Sequence, residues 1–481
     1  MDLAIRRFRR APARLLLVGL PALLLIACSS SNNNSNNNKA ATATKAASAA
    51  APASASSAAG TAAASPSKAA GTAAAGTAAP SGSPGAAAPS GPTQTPQAQV
   101  QATGSPIKIG VLADLTGAFA NEGNYMKLGV DFAIQHINAT GGINGHKVEA
   151  VYADPKTDPA EAVRLARELV QQDNVDVLMG GVGSNECLAV EQQAPQLGVV
   201  YVSATGCASD VFTSTACNKF SFRVAPTANQ TTDPESSYLV KSAGTKWGVM
   251  YADYAFGQSQ LKAYKDSLGK LGGSVTVEIP VPLNESNVSP YVSKIPTDGS
   301  INGLVVAFGG ADLVRIMGAI QQFGINKKVA ITTQASKDFF GGTAPDAVDG
   351  SIGVTIHPTD GIPGNTYDAQ FDADWKKFAP PERVTIGVHG YTAYMAVMSI
   401  RAAGDAGKVN GKADTQKWIA AFENLNMPQG PDSPTGPMIM NKNDHQGRMN
   451  VYIIQEHGQK EDILQTVPAA EVPQIGSCKV K

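Results

Sequence analysis

The chain of 481 residues reads as an α/β protein in two lobes, each a mainly parallel sheet flanked by helices. Three observations predict this. Apolar runs of strand length alternate with amphipathic stretches of helical length, the pattern of parallel sheets covered on both faces. The alternating part spans about 375 residues, too long for one ordinary core and suited to two. Small or polar residues follow most of the apolar runs, and the carboxyl ends of parallel strands are where such sheets carry their sites.

The first elements decide compartment rather than fold. "MDLAIRRFRR" supplies a basic start, and "LLLVGLPALLLIA" follows as an apolar core broken by Pro21. That core is too short and interrupted for a comfortable membrane span, so 1–27 reads as an export signal. It ends "LIAC", where Leu25, Ile26, Ala27 and Cys28 resemble a bacterial lipoprotein box. The resemblance implies that Cys28 is acylated and becomes the mature N-terminus. An ordinary signal peptide with an incidental cysteine is the alternative. Residues 28–105 collapse in composition to Ala, Ser, Gly, Thr and Pro. Such a segment cannot bury enough apolar area to offset its ordering entropy, so it should be a disordered tether. As a flexible coil of ~75 residues it would span roughly 45–50 Å. A glycosylated stalk or a cell-wall spacer would have a similar composition.

In the body, "IKIGVLADL" is a buried-strand run, and "NYMKLGVDFAIQHINA" places Tyr125, Leu128, Phe132 and Ile137 at helical spacing. "VEAVYAD" is the next strand. "DPAEAVRLARELVQQ" begins a helix, with Asp158 as N-cap, Pro159 at the first helical position and Glu161 three beyond the cap. "VDVLMGG", "GVVYVSA", "KWGVMYAD", "NGLVVAFGG", "KVAITTQ" and "GSIGVTI" are further strands. The alternation thins after Ile356. Helices are expected around 371–378, 391–403 and 415–422, followed by a strand-like stretch with a turn at "NDHQG".

A net charge of -1 with mixed signs gives no basic patch for nucleic acid and no polybasic membrane surface. Beyond Cys28 four cysteines remain, and an even number in an exported chain argues for disulfides. Cys207 with Cys217 is the pairing their closeness suggests, which leaves Cys187 with Cys478. No CxxC and no histidine at ligand spacing occurs, so no metal and no cofactor is expected.

The stretch "IKIGVLADLTGAFANEGNYMKLGVDFAIQHINATGGINGHKVEAVYAD" resembles the opening of the leucine/isoleucine/valine-type periplasmic binding proteins, the solute-binding components of ABC importers. The likeness continues through "VDVLMGGVGSNECLAVEQQAPQLGVVYVSAT", "KWGVMYADYAFGQS", "GLVVAFGGADLVRIMGAIQQFG" and "HGYTAYMAV", covering essentially all of the chain from Pro106. It implies the type I fold with a three-stranded hinge. It implies a first lobe of 106–227 plus 356–435 and a second of 228–355 plus 436–481. It also implies a small-molecule solute in a cleft between hinged lobes, ABC permease partners, a monomer, and no catalysis.

The glycine-rich turn "GGVGSNE" admits three readings. A dinucleotide fingerprint needs a third glycine where Glu186 stands, and no P-loop lysine follows. A nucleophile elbow needs glycine where Val182 stands. Backbone N–H groups at a helix start, with a hydroxyl beside them, suit a carboxylate. The resemblance assigns that role to Ser184, with Ser203 and Thr205 of "VSATG" assisting. Across the cleft it implies Phe256 as the apolar wall, with Tyr254 as its alternative; Asp253 beside them at the strand end and Glu122 near the entrance are further candidates, and Tyr391 reads either as cleft lining or as a core tyrosine at the head of a helix. Glu122 stands where relatives carry an aromatic near the entrance, making the rim more polar. Relatives that bind amino acids carry an acid where this chain has Gln334 and Ala335. Asp253, Asp312 or Asp338 would have to substitute, or the ligand lacks an amine, because a buried lone ammonium costs several kcal/mol.

Overall fold

A computed structural model describes residues 104–208, 217–333, 346–458 and 460–474. The leader and tether, Cys28, Gln334, Ala335, Asp338 and Cys478 lie outside the described residues.

Two sheets organise the body. The first takes β1 (Ile107–Leu112), β2 (Val148–Ala153), β3 (Val177–Gly180), β4 (Val200–Ser203) and β5 (Ser221–Arg223) from the first stretch of chain. The second takes β6 (Lys246–Ala252), β7 (Ser274–Val281), β8 (Gly303–Ala307), β9 (Ala330–Thr333) and β10 (Ile352–Thr355). The chain then returns to the first sheet with β11 (Asn426–Met427), β12 (Met438–Asn441) and β13 (Gln446–Arg448). It ends in the second with β14 (Val451–His457) and β15 (Lys460–Val467).

The first sheet runs in the order β11-β12-β13-β5-β4-β3-β1-β2 and the second β15-β14-β10-β9-β8-β6-β7. The pairings made by β1–β5 and by β6–β10 among themselves are parallel, and antiparallel strands lie only at one end of each sheet. Central strands "VLMG", "VYVS" and "GLVVA" are buried on both faces, as their unbroken apolar character requires. The edge strand β7 instead alternates exposure and tolerates Pro280, whose missing N–H would be costly in a central strand.

Helices α1 (Ala120–Ala139), α2 (Pro159–Gln171) and α3 (Ser184–Leu197) accompany the first sheet. Helices α4 (Ala228–Ser242), α5 (Ala255–Lys270), the short α6 (Ser289–Val292) and α7 (Gly310–Gln322) accompany the second. The chain then forms α8 (Thr366–Phe378), α9 (Gly387–Gly407) and α10 (Thr415–Glu423). Asp158 caps α2 as its sequence predicts, accepting the N–H groups of Ala160 and Glu161 at 2.7 and 3.0 Å. Helix α9 packs on α1 so closely that a Cβ at Gly129 would stand 2.1 Å from the Gly390 carbonyl oxygen. Glycine at both positions is what lets these helices cross, bringing their first turns to one place.

Two expectations change. Strands β12 and β13 belong to the first sheet, so 436–448 cannot be given to the second lobe, and the third passage between sheets falls at Met449 and Asn450. The "NDHQG" turn closes a β12–β13 hairpin inside the first sheet, and only then does the chain leave it. The disulfide joins Cys187 to Cys207, with Cα atoms 6.5 Å apart. Neither Cys207–Cys217 nor Cys187–Cys478 therefore stands, and Cys217, itself disulfide-bonded, pairs elsewhere. Neighbouring parallel strands bring the segments after β3 and β4 side by side, which outweighs nearness along the chain. Among the described residues no helix is long and apolar enough to cross a membrane.

Candidate functional site

Six helix starts converge on a cleft of about 110 Å³ between the carboxyl ends of the two sheets. Phe119 and Glu122 open α1 there, Ser184 opens α3, and Thr227 and Ala228 open α4. Tyr254 and Phe256 open α5, Gly309 and Gly310 open α7, and Val388 and His389 open α9. Of these six starts, only that of α4 is capped by its own N-cap side chain, Thr227; at α3 the Glu186 carboxyl three residues on accepts the Gly183 N–H instead, and the N-cap residues of the other four make no side-chain cap. Each helix start presents unsatisfied N–H groups and about half a positive charge. Among the described residues no lysine or arginine lines the cleft, and Glu122 is its one carboxylate. An anion held here would be held by backbone dipoles and hydroxyls.

Ser184, 2% exposed, lines the cleft as the first residue of α3. Its Oγ accepts the Ala208 N–H at 3.0 Å, which leaves the hydroxyl hydrogen to donate. Thr205 also lines the cleft, but its hydroxyl donates to the Gly181 carbonyl at 2.8 Å and so braces the glycine turn. That turn needs glycine, because Gly180 and Gly181 have φ of 109° and 77°.

Ser203 does not reach the cleft. It is fully buried beneath it, with its Oγ 3.6 Å from the Cys207 sulfur. Phe256 and Tyr254 form an apolar wall with Phe119, the tyrosine ring lying 6.4 Å from Phe119 and 6.1 Å from Phe256. Burial, then the charges of Glu122, Asp312 and Glu186, push the Tyr254 phenol up, so it stays protonated.

Three further sequence expectations are corrected. Asp253 is exposed and accepts from the Gln258 amide at 3.0 Å, outside the lining. Tyr391 is a core residue, bonded to Thr435 at 2.8 Å and stacked on His357; its helix turns Val388, His389 and Thr392 to the cleft instead. Glu122 is no rim residue: at 1% exposure it sits deep, against the first turn of α7. Asp312 pairs with Arg315 at 2.5 Å and lies outside the lining, and Asp338 lies outside the described residues; among the described residues Glu122 is the carboxylate placed to meet an amine. Gln334 lies outside the described residues.

Behind the start of α3 two carboxyls share a buried position. Burial and the Asp114 charge push Glu186 up to about 9, and burial raises Asp114. At neutral pH the proton therefore sits on Glu186. Its Oε2 accepts the Gly183 N–H at 2.8 Å, while Asp114 accepts the N–H of Thr157 at 2.6 Å and of Val182 at 3.3 Å. The pair fixes the glycine turn without placing a full second negative charge behind the cleft.

Sequence reasoning missed Phe119, Gly310, Gln260 and the α9 positions. The "FGG" that follows β8 was a signal for the second of these, since it repeats the strand–glycine–helix pattern of "GGVGS".

The family model described as periplasmic binding protein matches residues 106–460. A protein of Brucella melitensis named Leu/Ile/Val-binding protein homolog 6 is 26% identical over 357 residues, covering 72% of this chain and 86% of that one. The closed Leucine-, isoleucine-, valine-, threonine-, and alanine-binding protein of Brucella ovis superposes with a TM-score of 0.69 at 19% identity, covering 78% of this chain and 99% of that one. An ABC transporter solute-binding protein of Rhodopseudomonas palustris HaA2, in complex with p-hydroxybenzoic acid, superposes with a TM-score of 0.68 at 22% identity, covering 77% and 99%. At these identities the two structures speak to the fold alone. The family and its fold neighbours are binding proteins rather than enzymes. The chain belongs to the periplasmic binding protein family, in its two-lobed type I, leucine/isoleucine/valine-type form.

Proposed function

We propose that this protein captures a small amino acid with an apolar side chain and presents it to an ABC permease. The observation that carries this reading is one cleft holding both kinds of partner. Convergent helix starts with the Ser184 hydroxyl suit the carboxylate, and the buried Glu122 carboxylate suits the ammonium. Phe119, Tyr254 and Phe256 supply the apolar wall. A second reading has support from the same wall: three aromatic rings also suit a benzoate, as bound by the Rhodopseudomonas palustris neighbour.

Calorimetric titration with leucine, isoleucine, valine, benzoate and 4-hydroxybenzoate separates them. The first reading expects an aliphatic amino acid to bind best and Glu122→Gln to weaken it by ~1.5–3 kcal/mol, the range for a hydrogen bond to a charged group. Benzoate binding best, with Glu122→Gln harmless, would replace it by the second.

The leader supports anchoring through an acylated Cys28, with residues 29–105 as the tether to the bilayer. Mass spectrometry of the N-terminal peptide should find Cys28 lipid-modified, and Cys28→Ser should release the protein from membranes. An unmodified peptide that retains Cys28 would end that part of the reading.

A further inference from the structure

A second constellation lies at the passage from β10 to α8, two residues beyond Thr355. His357 is 1% exposed, and its Nε2 stands 3.4 Å from an oxygen of Asp372 and 3.5 Å from Oδ1 of Asp368. The two aspartates are four residues apart, one turn along α8, so both reach the same side of the helix. These distances are long for charge-assisted hydrogen bonds, which run at ~2.7–2.9 Å. They match the separation of two donor atoms sharing one ion: bonds of ~2.0–2.2 Å in a tetrahedron put neighbouring ligands roughly 3.3–3.6 Å apart.

The buried atoms say the same. Neither ring nitrogen of His357 nor Oδ1 of Asp368 makes a well-formed hydrogen bond, the Asp372 oxygen standing at the outer limit of one from Nε2. The other Asp368 oxygen accepts the Ile362 N–H at 2.7 Å, which orients the carboxylate. Tyr391 stacks on the imidazole at 4.6 Å and Phe371 meets its edge at 5.6 Å, fixing the ring plane. The Asp372 side chain is 17% exposed, so a fourth position can reach solvent.

The geometry points to a divalent transition-metal site made by His357, Asp368 and Asp372, with Zn²⁺ and water completing a tetrahedron. One imidazole and two carboxylates form a borderline donor set that suits Zn²⁺ and lacks the soft sulfur that Cu(I) prefers. The ion would tie the segment after β10 to α8 beside one of the passages between the lobes.

The test uses the purified protein stripped with chelator and titrated with Zn²⁺, and with Co²⁺ as a spectroscopic substitute. One Zn²⁺ per chain, a raised Tm, and the visible absorption of tetrahedral Co²⁺ are expected. Asp372→Asn, at a partly exposed position, should keep the circular dichroism spectrum while weakening Zn²⁺ binding at least 100-fold. His357→Gln should abolish the Co²⁺ band. Wild-type protein that takes up neither ion, or uptake unchanged in Asp372→Asn, would overturn the site and leave His357 as an ordinary buried imidazole between two acids.

Discussion

The two walls of the cleft are made of the same unit, a buried parallel strand, a tight turn and a helix start, yet they present different chemistry. The first-sheet wall offers Ser184, Thr205 and Glu122, all at most 2% exposed and held by the Cys187–Cys207 bridge and the Asp114–Glu186 pair. The second-sheet wall offers the half-buried Tyr254 and Phe256 and the bare backbone of Gly309 and Gly310. One wall is a finished polar seat, and the other sets aromatic faces and bare glycine backbone against it, meeting it at Gly310. The difference teaches how binding can drive closure: a solute seated on the first wall gains its remaining contacts only when the second arrives, and only such differential contact shifts the lobes.

The comparison breaks most sharply at Gly310. Its φ is +59°, and a Cβ there would stand 3.3 Å from the Ala118 carbonyl oxygen and 3.4 Å from the Phe119 ring. Gly310→Val combines backbone strain with crowding where the walls meet, so solute affinity should fall by roughly 2–4 kcal/mol. Calorimetry reads the affinity, and thermal unfolding shows whether the second lobe has been damaged instead. Affinity unchanged in Gly310→Val would mean that the walls need not approach this closely.

A smaller effect belongs to the seat's own supports. Glu186 is pushed up to about 9 from an ordinary value of 4.5, so between these values the folded state holds a proton that the unfolded chain has lost. Stability from this group is complete below pH 4.5 and declines as pH rises towards 9, by at most ~1.4 kcal/mol per pH unit. Glu191, pushed up to about 9 by burial, titrates in the same sense. Denaturant unfolding of Glu186→Gln across pH 5–9 should therefore show a shallower decline than the wild type, not a flat line. An unchanged slope would mean that the shared proton is absent.

Much of this was legible from residues alone. Strand ends announce themselves through apolar runs that stop at glycine, which is why Ser184 and Thr205 were found. Aromatic residues opening α5 gave Tyr254 and Phe256. What failed was orientation. Asp253 ends a strand run but turns outward, and Tyr391 lies on a helix face different from that of His389 and Thr392. A rotation of about 100° per residue decides between cleft and core, and spacing alone does not set its origin. Glu122 looked like a rim residue because nothing local reveals that α7 of the other lobe covers it. Cys207 was matched to its neighbour in sequence, whereas the parallel pairing of β3 and β4 puts Cys187 closer. The His357 cluster was invisible for the same reason: its ligands are drawn from a strand exit and one helix turn, with no motif spacing to mark them.

The most direct measurement is a calorimetric titration of the best-binding solute into wild type, Ser184→Ala and Phe256→Ala, with the recovered solute weighed by mass spectrometry. The account predicts one site per chain, a loss of ~1–3 kcal/mol in Ser184→Ala from the missing hydrogen bond, weaker binding in Phe256→Ala from the facing wall, and a solute returned intact. Full affinity in either variant, or a solute recovered cleaved, would contradict capture between two walls without chemistry.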